Sequence, residues 1–371
     1  MTLRSILVLA EGQLGDLLLL TPALRSLRAG HPDATITVII YQRRLPPRPA
    51  GASVLFPSEG HGTAAVITQL PCVNRVFEVD RAMLRRLSPR QRLVEEARIA
   101  MAIRSHHYDG VLCTFPEDRF AALAFLAGAR VRAGERAGGL SWMLNATPAA
   151  ERKEGVLAYY CTLAAAMGGR EVSRQTEFIP VPEGLRRADA WLAEYDLQEK
   201  RYVAVHPGAT GEYKQWPPER FARAITALSA GGIPVALCGG KGDRDILEAI
   251  ITHLAITVPV FEPADLSMLA GFLMRAGVCL TNDSGPRHLA VAVGAPSLAL
   301  FRRHHGREWA IYDETERCRV LTGGEECAVC TRGICEDRLP SGSRFGSTCL
   351  RQIGEDVVVL AVKNMLAATS S

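Results

Sequence analysis

The order of the apolar segments constrains the fold of this chain more than any other feature. Short runs that are apolar throughout alternate with longer segments of helical periodicity, and we predict strands at 5–10, 36–40, 110–115, 202–206, 234–239 and 278–282. Continuous rather than alternating hydrophobicity indicates strands that are covered on both faces, as in a parallel sheet flanked by helices. The repeated strand–helix pattern therefore predicts a doubly wound α/β fold.

The predicted strands fall into two series, and 371 residues favour two domains over one. The proline- and charge-rich passage 176–201 separates the series and should contain the linker. We place an N-terminal Rossmann-like domain at 1–180 and a C-terminal one at 181–350. Ligands of such sheets bind beyond the carboxyl ends of the strands, so we expect two domains that face each other across a cleft.

Composition excludes several classes of protein. A net charge of +4 is too small to argue for nucleic acid, and no nucleic-acid-binding signature is present, so we expect no such partner. Glu11 and Asp16 interrupt the apolar runs of the N-terminus, which argues against a signal peptide. No apolar run approaches the length of a membrane span, and we expect a cytoplasmic protein.

The first motif, AEGQLGD (10–16), follows the first predicted strand. Gly12 and Gly15 permit a tight turn and the close approach of a substrate. Asp16 stands at the mouth of a helix, where it would either cap the first-turn amides or serve as a general base.

The second motif, VAVHPGATGEYK (203–214), follows the first strand of the second series. Its candidate ligand-binding residues are His206, Gly208, Thr210, Gly211 and Lys214. A small-residue loop with one lysine suits a diphosphate, which needs close amides, a hydroxyl and a positive charge. The spacing of a Walker loop is absent. A solvated loop lysine is the alternative for Lys214.

The third motif, LCGGKGDRD (237–245), combines Gly239 and Gly240 with Asp243 and Asp245. Acids at this place bind ribose hydroxyls in nucleotide-binding Rossmann folds. A helix N-cap is the alternative for either acid.

The fourth motif, TNDSGPRHLA (281–290), turns from a strand into a helix. Pro286 suits the first helical turn, and free amides at 284–287 would form an anion site together with the Ser284 hydroxyl. His288 lies in the same turn and would face either the anion or the core.

Four ordered patterns carry a family resemblance across most of the chain. They are D-x-L-L-x-T-P-A-L-R-x-L, H-P-G-A-x(4)-K-x-W-P-x-E-R-F, G-G-x-x-D-R and T-N-D-S-G-P-x-H-L-A-x-A-x-G-x-P. Together they resemble glycosyltransferase family 9, the ADP-heptose heptosyltransferases of lipopolysaccharide assembly and their relatives. The resemblance implies a GT-B fold and an inverting, metal-independent transfer from a nucleotide-diphosphate sugar. It also implies an acceptor-binding N-terminal domain, a donor-binding C-terminal domain, and a last helix within 351–371 that packs back on the N-terminal domain.

The resemblance also assigns roles to individual residues. Asp16 matches the family's proposed base, Lys214 matches the lysine on the donor phosphates, and Ser284 and Gly285 match the backbone phosphate cradle. Asp283 falls at the acid beside that cradle. We therefore expect a donor site formed by His206, Gly208, Thr210, Gly211, Lys214, Gly239, Gly240, Asp243, Asp283, Ser284, Gly285, Pro286, Arg287 and His288.

Two positions depart from the family pattern. Arg287 stands where a neutral residue is common, and it would either add a charge on the donor side or point to solvent. Glu11 stands where a basic or small polar residue is frequent, on the acceptor side beside Gly12 and Gly15.

The predicted function is transfer of a heptose-type sugar, from ADP-heptose first of all, to an acceptor hydroxyl of a lipopolysaccharide core or related glycan. The expected partners are thus a nucleotide-diphosphate sugar and a glycan or glycolipid, with no cofactor required for catalysis. A relative that glycosylates a protein or a natural product is one alternative, and a non-catalytic nucleotide-sugar-binding protein is another.

Four of the ten cysteines cluster near the C-terminus, at Cys327, Cys330, Cys335 and Cys349. A cluster that begins with CxxC in a reducing compartment is typical of a structural zinc or iron site. Unpaired thiols and disulfides are the alternatives. The other six cysteines lie singly in apolar surroundings and are expected to be core thiols.

The segment 81–104 carries seven arginines against two acids. It would either meet anionic lipid or a phosphorylated acceptor, which allows peripheral contact with the inner membrane, or form an ordinary solvated helix face.

Overall fold

The computed structural model describes residues 2–43, 45, 52–148, 155–303, 312, 317–324 and 344–369. The chain divides into two compact units, Met1–Phe178 and Ile179–Ser371. The division falls inside the passage 176–201 in which the linker was predicted.

The first unit is built on a six-stranded sheet. Its strands are β1 (Ser5–Glu11), β2 (Thr35–Gln42), β3 (Leu55–Pro57), β4 (Arg75–Asp80), β5 (Gly110–Cys113) and β6 (Val131–Ala133). Its helices are α1 (Leu14–Gly30), α2 (Ala65–Thr68), α3 (Arg81–Arg86), α4 (Pro89–Ser105), α5 (Asp118–Leu126) and α6 (Val156–Ala166). The strand order is β3-β4-β2-β1-β5-β6, and every pair is parallel except β3 with β4. The order reverses beside β1, so the carboxyl ends of β1 and β5 are the expected place for a ligand.

The second unit repeats this architecture. Its strands are β7 (Val203–His206), β8 (Val235–Cys238), β9 (Val260–Phe261), β10 (Val278–Asn282), β11 (Ser297–Phe301) and β12 (Cys318–Thr322). Its helices are α7 (Pro182–Glu194), α8 (Pro218–Ala230), α9 (Arg244–His253), α10 (Leu266–Arg275), α11 (Gly285–Ala292), α12 (Thr348–Arg351) and α13 (Glu355–Thr369). The order is β12-β11-β10-β7-β8-β9 with parallel pairing throughout. Here the order reverses at β7, between β10 and β8.

All six strands that were predicted from apolar runs are present, with ends that differ by at most two residues. The described part of the chain contains six further strands that were not predicted. In β4 the reason is local: Arg75, Glu78 and Asp80 interrupt the apolar pattern, and the strand follows from its pairing with β2. The six singly placed cysteines, expected to be core thiols, are all buried and unbridged.

The last helix packs within its own unit. Residues 355–369 form α13, which contacts α8 and β10 of the second unit. The expectation that residues 351–371 pack back on the N-terminal domain stays a prediction. Val358 and Val362 lie in the same buried cluster as Phe221 and Leu228 of α8. The apolar face of α13 therefore completes the core of its own unit.

The basic segment 81–104 forms two helices rather than one. The first helix ends at Arg86, and Ser88 caps the second. The Ser88 side chain accepts a hydrogen bond from the Gln91 amide, and the Gln91 side chain accepts one from the Ser88 amide. Pro89 then occupies the first position of α4. None of the helices in the described part of the chain is both long and apolar enough to cross a bilayer.

Candidate active site

Three predicted motifs of the second unit follow neighbouring strands. His206 ends β7, Asn282 ends β10, and Gly239 follows β8, while β7 is hydrogen-bonded to both of the other strands. The parallel sheet therefore brings the HPGATGEYK, GGKGD and NDSGP loops to one edge, at the point where the strand order reverses.

Lys214 and Asp283 meet at this edge. Lys214 lies in a short 3₁₀ turn, Glu212–Lys214, and its ammonium is 3.3 Å from the Asp283 carboxylate. The carboxylate is 8% exposed and the lysine side chain 19%. The pair holds one cation at the rim of the strand ends, where it is half-buried and still reaches solvent.

Asn282 is a residue of this site that the sequence analysis missed. Its side-chain oxygen accepts the Trp216 amide at 3.1 Å, and its side-chain amide donates to the Pro207 carbonyl. Asn282 is fully buried, so it ties the loop after β7 to the end of β10 from within. Its place between a buried strand and Asp283 was the signal that could have identified it.

His206 and Asp243 form a second contact at the same edge. The His206 Nε2 atom lies 3.6 Å from the Asp243 carboxylate, which also accepts the Gly240 amide at 2.9 Å. Burial lowers the pKa of His206, although the neighbouring carboxylate opposes the shift. A side chain at Gly208 would collide with Asp243, which explains the glycine there. The Asp243 carboxylate thus closes the turn after β8, and although Asp243 stands at the N-cap position of α9 its side chain caps no amide of that helix. Its predicted role on ribose hydroxyls stays a prediction.

The loop that carries Lys214 is fixed from two sides. Gly211 has a φ of 101°, which favours glycine, and a Cβ there would strike the Tyr213 ring. The buried guanidinium of Arg302 lies 4.7 Å from the centroid of that ring. From the other side, the amides of Gly346 and Ser347 donate to the carbonyls of the loop at 3.1 and 3.2 Å. Lys214 is therefore presented by an ordered turn, next to the exposed Thr210.

The start of α11 offers fewer donors than the sequence suggested. Pro286 has no amide hydrogen, and the Arg287 amide donates to the Ser284 carbonyl at 3.2 Å, so the expected free amides at 284–287 reduce to those of Ser284 and Gly285. Among the described residues, the Ser284 hydroxyl is buried without a hydrogen-bond partner. Two amides, this hydroxyl and the positive helix end remain for an anion.

Arg287 does not point to solvent. Its side chain is fully buried, and its guanidinium lies 4.6 Å from the Phe301 ring centroid and 5.1 Å from that of Tyr312. Stacking between aromatic rings offsets part of the cost of burying the charge. The second alternative of the sequence analysis, a solvated arginine, is therefore wrong.

His288 is directed to the protein interior. It is 3% exposed, and its Nδ1 atom lies 2.9 Å from the Tyr312 hydroxyl. Burial, together with the charge of Arg287, lowers the pKa of His288 to about 3. The imidazole is therefore neutral at physiological pH and adds no charge to an anion site.

Asp16 lies in the first unit, beyond the carboxyl end of β1. It occupies the first turn of α1 after Gly15 rather than the N-cap position, which is Gln13. The Tyr160 hydroxyl and the Gln13 side-chain amide each donate to its carboxylate at 3.3 Å. The carboxylate is 5% exposed. Two side-chain donors thus orient this group, and the N-cap alternative is not observed.

Gly12 allows the backbone to approach the end of β2. A Cβ at Gly12 would collide with the Gln42 side chain, whose oxygen accepts a hydrogen bond from Thr63 at 3.1 Å. The Thr63 hydroxyl also lies 2.9 Å from the Gly12 carbonyl. The turn before Asp16 is therefore closely packed against β2.

A buried ion cluster lies beside this turn and was not predicted. Arg81, the first residue of α3, pairs with Glu11 at the end of β1 and lies 2.7 Å from the Glu117 carboxylate. Arg43 approaches Glu11 at 3.3 Å. Burial raises the pKa of Glu11, and Arg81 opposes the shift. Arg81 is thus part of the interior and does not belong to a basic surface.

The cysteine cluster is mostly outside the described part of the chain. Cys327, Cys330 and Cys335 lie outside the described residues, while Cys349 is buried in α12 as a free thiol. Within the described residues, no group of three potential metal ligands is found.

Comparison with known proteins identifies the family of this chain. The sequence profile of glycosyltransferase family 9 (heptosyltransferase) matches residues 97–337. Lipopolysaccharide heptosyltransferase 3 of Escherichia coli is 24% identical over 296 residues, which cover 77% of this chain and 80% of that protein.

Solved structures show the same fold. A glycosyl transferase family 9 protein from Veillonella parvula superposes with a TM-score of 0.75 at 21% identity, covering 98% of this chain and 97% of its own. The E. coli ADP-heptose lps heptosyltransferase II superposes with a TM-score of 0.69 at 19% identity, covering 99% and 100%. The predicted GT-B fold with two Rossmann-like, doubly wound units is confirmed.

Proposed function

The chain belongs to glycosyltransferase family 9 and is a glycosyltransferase, and from that premise we propose that it transfers a heptose-type sugar from ADP-heptose to an acceptor hydroxyl of a lipopolysaccharide core or related glycan. The observation that carries the donor half of this proposal is the arrangement beyond β7 and β10. There the Lys214 ammonium, the Ser284 hydroxyl and the amides of Ser284 and Gly285 lie at one edge of the sheet. A cation and several hydrogen-bond donors are the groups that stabilise the negative charge of a leaving diphosphate.

In the proposed reaction, Asp16 removes the proton of the acceptor hydroxyl. The hydroxyl oxygen forms a bond to the anomeric carbon while the bond from that carbon to the diphosphate breaks. The nucleotide diphosphate leaves with the electron pair, and the configuration at carbon inverts because attack and departure occur on opposite faces. Lys214 and the N-terminal end of α11 stabilise the charge that develops on the leaving group.

The first unit takes the acceptor in this proposal and the second unit takes the donor. Asp16, Gly12 and Gly15 belong to the first, and the loops around Lys214 and Asp283 to the second. The sugar donor is named from relatives, since the E. coli enzyme that this chain resembles is an ADP-heptose lps heptosyltransferase. The proposed location is the cytoplasmic side of the inner membrane, where a lipid-linked acceptor would be available.

A donor screen tests the proposal. Purified protein is heated with ADP-heptose, UDP- and GDP-sugars, and free ADP. At equal concentrations, a ligand that binds more tightly raises the melting temperature more, because stabilisation grows with the logarithm of concentration over Kd. We expect the largest shift with ADP-heptose and a smaller one with ADP. Transfer to core oligosaccharide, to a peptide or to a small natural product then identifies the acceptor. A shift with UDP-sugars alone would contradict the assigned donor.

A further inference from the structure

The exposed apolar side chains of the first unit are concentrated on one side. Its described residues include seven large apolar side chains that are exposed, and six of them lie on α4, α5 and the short turn Ser141–Met143. We call these six the apolar flank: Leu93, Val94, Met101, Phe125, Leu126 and Trp142. Exposed apolar side chains scattered singly are ordinary, but a concentration of them marks a binding surface.

Helix α4 is apolar on two sides. Ile99 and Ile103 face the core and are buried, while Leu93 and Met101 are 72% and 63% exposed. Leu93 and Met101 are eight residues apart, which places them on one side of the helix within about 80° of each other. The outer side of α4 thus presents long apolar side chains that no part of the described chain covers.

The other members of the apolar flank adjoin this helix. The Arg104 guanidinium near the end of α4 donates to the Leu126 carbonyl at the end of α5, at 3.0 Å. The Phe125 and Trp142 rings pack edge to face with centroids 5.8 Å apart, and Trp142 is 66% exposed. The ends of both helices and the indole therefore lie on the same side of the unit.

Exposed positive charges lie at the end of α3 and at the start of α4, next to Leu93. Arg85, Arg86, Arg90 and Arg92 are exposed, and no carboxylate among the described residues lies within 4.0 Å of any of them. Arg98, by contrast, is paired with Glu95. An uncompensated row of arginines attracts an anionic partner.

We propose that the apolar flank and its four arginines bind the surface of an anionic lipid membrane. Leucine, methionine and tryptophan side chains would enter the boundary between headgroups and acyl chains, and the arginines would contact lipid phosphates. Indole rings are well suited to this boundary because one edge is polar and the remainder apolar. A second copy of the chain fits less well, since a two-fold contact through this face would bring the same unpaired arginines together.

A membrane-bound first unit would lie close to a lipid-borne acceptor, and this benefit rests on the proposed function. The surface itself is defined by exposure and charge. Vesicle binding can therefore be measured on the full chain without donor or acceptor, and its result is independent of transfer activity.

The experiment is co-sedimentation with vesicles of neutral phosphatidylcholine, with or without 30% (roughly one lipid in three) phosphatidylglycerol, at low and high salt. We expect binding to the anionic vesicles that is lost at high salt. Arg90→Gln with Arg92→Gln should lower partitioning about 25-fold, at about five-fold for each arginine. Leu93→Ser with Met101→Ser should lower it by about ten-fold or more.

Matched controls are Leu360→Ser and Arg201→Gln, which alter exposed residues of the second unit. They should bind as the wild type does, and all variants should keep its melting temperature. The proposal is overturned if wild-type protein ignores anionic vesicles, or if the controls lose as much binding as the variants. It is also overturned if the flank variants change only the sedimentation coefficient, which would identify a contact between copies. If the wild-type protein binds vesicles but no nucleotide-sugar, the proposed function is contradicted and the membrane-binding proposal is not.

Discussion

The Tyr160 hydroxyl donates a hydrogen bond of 3.3 Å to the Asp16 carboxylate, although 144 residues separate the two in sequence. Gln13 donates from the other side at the same distance. A buried carboxylate with two side-chain donors has a defined orientation, which a general base needs more than it needs mobility.

Replacing the carboxylate of Asp16 should therefore abolish transfer without affecting the donor. We expect Asp16→Asn to lower kcat by about 10²–10⁴-fold, the range that general bases contribute, and to leave donor affinity unchanged. Initial rates and donor titration check both parts. Asp33→Asn, an exposed carboxylate of the same unit, is the control and should behave as wild type. Transfer at the wild-type rate in Asp16→Asn would remove this residue from the mechanism.

Lys214 should contribute to donor affinity through the diphosphate. Lys214→Met removes the charge and should weaken binding of ADP about ten- to 100-fold, the usual cost of losing a hydrogen bond to a charged group. The Lys214 ammonium also contacts Asp283. The effects of Lys214→Met and Asp283→Asn on the free energy of ADP binding should therefore be non-additive in a double-mutant cycle. Lys363→Met, an exposed lysine of α13, is the control. Strict additivity of the two changes in ADP binding would argue against a shared role.

Arg287 should act on the donor through its charge and on stability through its stacking. Arg287→Met keeps an apolar side chain between Phe301 and Tyr312, so we expect weaker ADP binding, most evident at low salt, with a small change in melting temperature. Arg132→Met, which removes an arginine stacked on Phe125 in the other unit, should leave ADP binding intact. Equal ADP affinities in wild type and Arg287→Met would rule out a phosphate contact.

Breaking the Glu11–Arg81 pair should make the free energy of unfolding depend more strongly on pH. Burial raises the pKa of Glu11 and Arg81 counteracts this, so Arg81→Met should raise the pKa further. An acid whose pKa is raised in the folded state destabilises the fold as the pH rises, because the folded state has to keep the proton or bury the charge. The loss is complete once the pH exceeds the folded-state pKa. We expect Arg81→Met to lower the unfolding free energy by about 3–5 kcal/mol at pH 8, and by less near pH 5, which is close to the ordinary glutamic acid pKa of about 4.3.

The double variant Glu11→Gln with Arg81→Met is the control for this effect. It removes the buried charge, so it should recover much of the stability and lose the added pH dependence. Urea unfolding at the two pH values measures both. A loss in Arg81→Met that is the same at both pH values would show that packing, and not the charge of Glu11, is responsible.

The cysteine cluster leads to a prediction that rests on sequence. If Cys327, Cys330, Cys335 and Cys349 hold a structural ion, purified protein contains stoichiometric zinc or iron by elemental analysis. Cys327→Ser with Cys330→Ser should lose the metal, and Cys72→Ser, a buried single cysteine, should retain it. A well-folded, metal-free wild type would refute the site.

Features that depend on neighbouring positions could be predicted from the sequence. Continuous apolar runs identified six strands that pair in parallel in the two sheets, since burial on both faces selects such runs. Glycine and polar residues after those strands pointed to Asp16 beyond β1, and to Lys214 and Asp283 beyond β7 and β10. The last two meet because the carboxyl ends of adjacent parallel strands lie at one edge of a sheet.

What the sequence alone determined about this protein is thus its fold class, its family and the strand ends that carry the candidate residues. The tertiary structure alone decided which charged side chains are buried and which apolar side chains are exposed. Arg81 and Arg287 are buried, while Leu93 and Met101 are exposed. Residue type alone does not predict this. The physical reason is that burial depends on partners far away in the chain: Arg81 is enclosed by Glu11, 70 residues away, and no local pattern records such a contact.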